Sequence, residues 1–227
     1  SACHAGRVRR GFPVIRLFIR DLALAIRAGG GFGLGLAFFL IVAVLVHFGV
    51  ADRDLAIAWP KRLVHRGVEA LKRHGFHRDD ITDVFLTHLH FDHCGGSIQW
   101  NKDRTGYEPA FRNATFWSNK NHWQWATEPN AREKASFLKE NILPIEESGQ
   151  LKYLPTPEGD LLTGTELGFD ILFADGHTEK QMIPHIQYHG KTLVFMADLL
   201  PTVGHIPLAY VMGYDVRPLI TLDEKAK

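Results

Sequence analysis

Cysteine is nearly absent: the 227-residue chain holds two, Cys3 and Cys94. Two cysteines cannot build the multi-bridge framework that staples small secreted domains. The core must therefore be packed, and a reducing, cytoplasmic setting is permitted. Excess charge of either sign is also missing. Lys+Arg 26 against Asp+Glu 25 leaves a net charge of +1, which excludes a nucleic-acid protein working by bulk electrostatic attraction. A third absence is local. Residues 1–60 contain no Lys, Glu, Asn, Gln, Thr or Tyr, and no Ser after Ser1. They are largely Arg, Gly, Ala, Leu, Val, Ile and Phe, and residues 28–51 carry no charge at all.

That uncharged run is long enough to cross a bilayer. Arg7, Arg9, Arg10, Arg16, Arg20 and Arg27 precede it, which would keep the N-terminus cytoplasmic and put later residues outside. A membrane anchor is one reading of 28–51. A buried helix or strand pair inside the domain is a second, helped by the glycines and His47. A third is a non-native stretch, such as a fragment junction or misread frame, which the break in vocabulary near residues 60–80 and the start at Ser1 support. The chain therefore divides into an atypical Arg/Gly/Ala/Leu-rich segment, 1–60, and a domain, 61–227. Its length suffices for one full hydrophobic core.

What is present in abundance is histidine, 13 residues, and their densest cluster is His88-Leu89-His90-Phe91-Asp92-His93. Imidazole nitrogens and carboxylate oxygens suit Zn²⁺ and similar divalent ions. On an extended backbone, residues two apart point the same way. His88 and His90 can therefore share one ion, while Asp92 and His93, past the bend, face a second. A His-rich surface turn has no need of this order of residues. The β-branched, apolar stretch Ile81 to Thr87 reads as a buried strand leading into the motif. Cys94-Gly95-Gly96 after it allows a tight turn.

The spacing of Leu63, Val64, Gly67, Val68 and Leu71 predicts a helix over 60–74, with Gly75 at its end. A short strand is expected at 114–117. His122, Trp123 and Trp125 form an aromatic patch, read as core packing or a pocket wall. Asn130 and Glu133 stand at capping-box spacing, which predicts a helix over 130–143 stopped by Pro144. A loop-rich connection should follow to Pro157. Strands are expected at 167–174, ending in Asp175-Gly176-His177, and at 192–197, ending in Asp198. Three strand ends thus deliver complementary donors.

With those residues in view, the chain resembles the metallo-β-lactamase-fold hydrolase superfamily, in a lactonase- and esterase-like branch. The residues that carry the resemblance are Thr87 to Gly96, Asp175-Gly176-His177-Thr178 and Met196-Ala197-Asp198. It implies an α/β fold, the αββα metallo-β-lactamase sandwich, here incomplete. It also implies His88, His90 and His177 on one metal, Asp92 and His93 on a second, and Asp198 bridging both. Two zinc ions are the implied cofactor, with Mn or Fe also accepted by such donors. A metal-bound hydroxide would attack a lactone, ester or related bond of a small-molecule substrate, with Asp92 as the catalytic proton carrier. His90 stands where the oxygen-reducing branch carries Glu, which favours hydrolysis.

Two departures shape the alternative. The family expects a further His well downstream of the bridging Asp, and the sole His after Asp198 is His205, too near for that role. His205, with His122 and Trp123, is therefore expected in the pocket or just outside the metal ligands. Nothing in residues 1–60 matches the strands with which the fold begins. The alternative is a truncated metal-binding domain with little or no catalysis. The expected location is cytoplasmic, or membrane-anchored if 28–51 is a genuine span, and no nucleic-acid partner is expected.

Overall fold

The computed structural model describes residues 67–227. The run 28–51 and the start of the helix expected at 60–74 lie outside the described residues. The rest of that helix, α1, covers residues 67–73 and buries Leu71. Gly75, at φ +82°, turns the chain out of it, a backbone state that glycine adopts without strain.

Two sheets form the centre. The first is parallel, in the order β1 (Asp83–Phe85), β4 (Thr115–Asn119), β5 (Leu151–Leu154). The second is antiparallel, in the order β6 (Leu161–Leu162), β7 (Asp170–Ala174), β8 (Gln181–Tyr188), β9 (Lys191–Val194). A separate hairpin pairs β2 (Ile98–Trp100) with β3 (Tyr107–Pro109). Successive strand residues face opposite sides, and the packing follows that alternation. Phe85, Trp117 and Leu154 of the first sheet meet Ile171, Phe173 and Met182 of the second. Their neighbours Val84, Leu86 and Phe116 face the other way, onto Trp123, Ile142 and Ile145 of the helices. On the far face of the second sheet, Ala174 and Ile183 pack with Leu199. Fully burying each such side chain contributes roughly 1.5–3 kcal/mol.

Four more α-helices lie among the described residues, α2 (Phe91–Cys94), α3 (Lys120–Thr127), α4 (Lys139–Glu147) and α5 (Pro218–Lys225), together with short 3-10 turns. Two sequence expectations fail here. No helix runs over 130–143; residues 131–136 form tight turns, and α4 starts at Lys139 and passes through Pro144. Asn130 Oδ1 does accept the N–H groups of Arg132 and Glu133, as a cap would. The side chain of Glu133, however, is drawn into the core (3% exposed), and the chain turns around it. Pro144 removes one helical hydrogen bond, and the complete burial of Ile142 and Ile145 outweighs that loss. Nor is 144–157 mostly loop. Its β5 pairs with β4 at the sheet edge, but four residues carrying Lys152 and an exposed Tyr153 leave almost no apolar pattern.

Candidate metal centre

The strand before the His-rich motif is pinned to both sheets. The Leu86 N–H donates to Trp117 C=O (3.0 Å), and Thr87 C=O accepts from the Met182 N–H (2.8 Å). His88 therefore emerges at the seam between the sheets. Leu89, wholly buried, is held on both sides of its backbone. Its N–H donates to His122 Nε2 (2.8 Å) and its C=O accepts from the Cys94 thiol (3.2 Å). With Leu89 immobile, its neighbours His88 and His90 have few orientations open. His93 follows on α2, packed so that its ring centroid lies 3.9 Å from that of His88.

The other donors arrive from the second sheet. His177 stands in the loop after β7, which Asp175 closes by accepting the Lys180 N–H (2.8 Å). Asp198 stands in the turn after β9. Ala197 just before it has φ +44°, a left-handed state costing an alanine about 1–2 kcal/mol. Such strain persists where the surroundings over-determine the backbone, and it clusters at functional sites.

Two donor groups result. His88, His90 and His177 form one; His88, His93 and Asp198 form the other, each with its ligand atoms within 4.8 Å of one another. His88 belongs to both. The two oxygens of Asp198 diverge: Oδ2 lies 3.3 Å from His177 Nε2 and 3.9 Å from His88 Nε2, and Oδ1 lies 3.3 Å from His93 Nε2. Asp92 sits at the rim, 3.7 Å from His93, with its side chain 39% exposed.

The protonation pattern shows whether a cation fits. His177 Nδ1 lies 3.1 Å from the buried Asp215 carboxylate, and His90 Nε2 lies 3.4 Å from Glu133. A carboxylate accepts, so in the neutral rings these nitrogens carry the protons. The opposite nitrogens, His90 Nδ1 and His177 Nε2, then face each other at 3.1 Å as two lone pairs. Two acceptors aimed at one point suit a shared cation. His88 Nε2, His90 Nε2 and His93 Nδ1 are buried without a hydrogen-bond partner, so Glu133 acts on His90 Nε2 as a nearby charge and not through a formed hydrogen bond. The donor set fits divalent metal ions of the zinc type.

Burial, then the neighbouring imidazoles, holds His88 well below its ordinary range. Burial lowers His90 too, against the pull of Glu133. His122 is pushed down to about 3, chiefly by burial. Burial opposes the charged form of His93 as well, but Asp198 and Asp92 outweigh it and raise that ring to about 9. Asp198 is lowered against its own burial by His93 and His177. These shifts set how the metal-free protein responds to pH. His88, His90 and His122 are neutral when folded, so their contribution is present above the ordinary 6.5 and lost as pH falls below it. The His93 contribution is complete below 6.5 and lost as pH rises towards 9. The melting temperature of the chelator-treated protein is therefore expected to peak near pH 6.5 and to fall on both sides. A flat profile from pH 5 to 9 would contradict this assignment.

The remaining sequence-derived residues are placed as follows. His122 is fully enclosed; Nε2 accepts from Leu89, and its Nδ1 lies 2.5 Å from Glu179 C=O. Both nitrogens are thus used by backbone, and the ring braces the His88–His90 and His177 loops. Trp123 belongs to the core beside the first sheet, stacked edge-on towards Tyr153. His205 bonds Thr202 (2.8 Å) on an exposed turn and lies outside both donor groups. Sequence reasoning missed Glu133 and Asp215. The capping-box spacing drew attention to Glu133 for another purpose, and Asp215 carries no local signal at all.

Comparison with known proteins agrees with this geometry. The family model described as the metallo-beta-lactamase superfamily matches residues 43–224. A second model, the CcmB protein, matches residues 13–58. Heme exporter protein B of Rhodobacter capsulatus is 69% identical over 42 residues, 18% of this chain and 19% of that protein. The corresponding protein of Paracoccus denitrificans is 79% identical over 34 residues, 15% and 16% of the two chains. Among solved structures, a probable metal-dependent hydrolase from Staphylococcus aureus superposes with a TM-score of 0.61 at 26% identity, covering 70% of this chain and 53% of that one. The dizinc quorum-quenching lactonase AidC gives 0.54 at 22% identity, covering 70% and 56%. The chain thus spans about half the length of these solved structures and under a fifth of the curated relatives.

Proposed function

The chain belongs to the metallo-beta-lactamase superfamily, and from that premise we propose that it is a dinuclear metal-dependent hydrolase of lactone, ester or related bonds in small molecules. In this reading His88, His90 and His177 hold one ion, His93 and Asp92 face the second, and Asp198 lies between them. The observation that carries it is the pair of donor groups sharing His88, with the Asp198 oxygens turned to different histidines. A lactonase such as AidC, described as dizinc, supports the substrate class by likeness of fold.

Two divalent ions, when bound by these residues, would supply Lewis acidity and lower the pKa of a bound water to about 7. The protein's own residues do the rest. Buried His88, His90 and His177 keep bulk water from the donors, which strengthens every electrostatic interaction there. Asp198 holds its negative charge between the two groups. Asp92, half-exposed at the rim beside His93, is placed to carry a proton to the leaving oxygen. The buried free thiol of Cys94 supports a reducing, cytoplasmic setting. No helix among the described residues is long and apolar enough to cross a membrane.

A second reading, a metal-binding domain with little turnover, is favoured by the position of His205 outside both groups. We also read residues 1–60 as a unit separate from the hydrolase domain, supported by the match of the CcmB protein family model to residues 13–58. Metal content per purified chain, measured beside hydrolysis of a lactone and ester panel, separates the two catalytic readings. About two ions, with turnover abolished by chelator and restored by Zn²⁺ or Mn²⁺, is the expected result. One ion or none, with no turnover, would overturn it in favour of the second reading.

A further inference from the structure

Beyond the candidate ligands, one buried carboxylate touches both loops that carry them. Glu133 Oε1 accepts the Thr178 hydroxyl (2.6 Å) and faces His90 Nε2 at 3.4 Å. Glu133 Oε2 accepts Trp125 Nε1–H (2.7 Å) and Asn130 Nδ2–H (2.5 Å). Thr178 directly follows His177, so a single side chain spans the motif loop and the loop after β7. We propose that Glu133 is a positioning residue of the metal centre: it fixes His90 in the Nε2–H form, turning Nδ1 towards the cation, and through Thr178 it sets the distance to His177. The inference rests on the metal reading above.

Everything around Glu133 limits its movement. Its own N–H is held by Asn130 Oδ1 (3.1 Å). Three residues on, Ser136 C=O accepts the Phe91 N–H (2.8 Å), tying the same turn to the residue after His90. The Trp125 ring that donates to it lies beneath the Arg217 guanidinium, 5.0 Å from ring centroid to charge. Arg217 in turn bonds Asp175 C=O (2.7 Å) and Glu179 (2.7 Å) on either side of His177. The carboxylate is thus locked by three donors, Thr178, Trp125 and Asn130, and a fixed negative charge 3.4 Å from His90 Nε2 favours the proton on that nitrogen. Outer groups of this kind orient a ligating histidine and raise its basicity, and losing one costs about 10–100-fold in metal affinity. Asp215 meets the same requirement for His177, whereas Glu133, which is not one of the candidate ligands, reaches both loops.

Glu133→Gln is the sharpest substitution. Glutamine keeps the volume, and its carbonyl can still accept from Trp125 and Asn130 at the Oε2 position, which leaves the amide at the Oε1 position beside Thr178 and His90. Its amide N–H, however, would oppose the proton on His90 Nε2 and drive it to Nδ1, the atom meant for the cation. Two readouts on the full chain test this. Long-range ¹H–¹⁵N correlation spectra of the metal-free protein at pH 7.5 report the His90 tautomer directly, and competition with a chromophoric chelator gives the Zn²⁺ affinity. The expected result is an Nε2–H ring in the unsubstituted protein, an Nδ1–H ring in Glu133→Gln, and Zn²⁺ affinity weakened by about 10–100-fold. An Nδ1–H ring in the unsubstituted protein overturns the proposal without any variant, so a variant that fails to fold does not protect it. Unchanged tautomer and affinity in Glu133→Gln overturn it as well. Failure of the unsubstituted protein to bind Zn²⁺ would instead sink the metal reading, leaving the tautomer measurement to decide the role of Glu133 separately.

Discussion

His88→Ala should remove both metal ions and not one. His88 holds one ion in the proposed assignment, but it also stands in the second donor group with His93 and Asp198. Its ring lies 4.8 Å from His90 and 3.9 Å from His93 between centroids, so its loss opens both groups. The loss of turnover should be at least about 100-fold, the upper end of what a mere outer-sphere partner costs. The variant should still fold. His88 makes few bonds of its own, its Nε2 has no hydrogen-bond partner, and the motif backbone is held through Leu89. Metal content and circular dichroism on the same sample decide the matter. A folded His88→Ala that keeps about one ion per chain would show that the two groups are independent.

Gly176→Ala should be strongly destabilising. A Cβ on Gly176 would stand 2.3 Å from Thr221 Oγ1 and 2.5 Å from the Thr221 backbone nitrogen. The hydroxyl could rotate away, but the backbone of α5 cannot. That helix is fastened to the loop before His177 at several points. Glu224 accepts the N–H groups of Asp175 (2.5 Å) and Gly176 (3.0 Å). The Arg217 N–H donates to Gly176 C=O (2.8 Å), and the Val216 N–H to His177 C=O (3.2 Å). Asp215, which holds His177 Nδ1, is itself held by Thr221 (3.0 Å). Overpacking there should cost about 3 kcal/mol, lowering the melting temperature by about 6–12 °C in a domain of this size. Metal affinity should fall with it, because Asp215 and His177 move together. A Gly176→Ala protein that melts within 2 °C of the parent, about 1 kcal/mol or less, would refute this packing argument.

The legible part of the centre was the part written in neighbouring residues. His88, His90, Asp92 and His93 lie within six positions, but their division was not legible there: His88 stands in both donor groups and Asp92 in neither. His177 and Asp198 were legible because each ends an apolar run. The helix expected at 130–143 fails for an instructive reason. Asn130 and Glu133 do form the start of a cap, but the second half of the capping box depends on where the Glu133 carboxylate finds better partners. Trp125, Thr178 and His90 supply them, and two of those three are more than 40 residues away. The aromatic patch at 122–125 was readable as a patch and no further. His122 became a brace between two loops, Trp123 part of the core, and Trp125 a donor to Glu133.

Sequence by itself therefore determined the chemistry: which donors exist, that they suit divalent metal ions, and that strand ends present them. It also marked the compositional break near residue 60. Tertiary structure alone decided which nitrogen of each histidine faces the centre, because that choice belongs to Glu133 and Asp215, distant in the chain and recognisable only by contact. It alone placed His205 on a turn outside both donor groups and Gly176 in a contact too close for any side chain. Local pattern records what a residue can bond, whereas burial and long-range packing select the one partner it does bond.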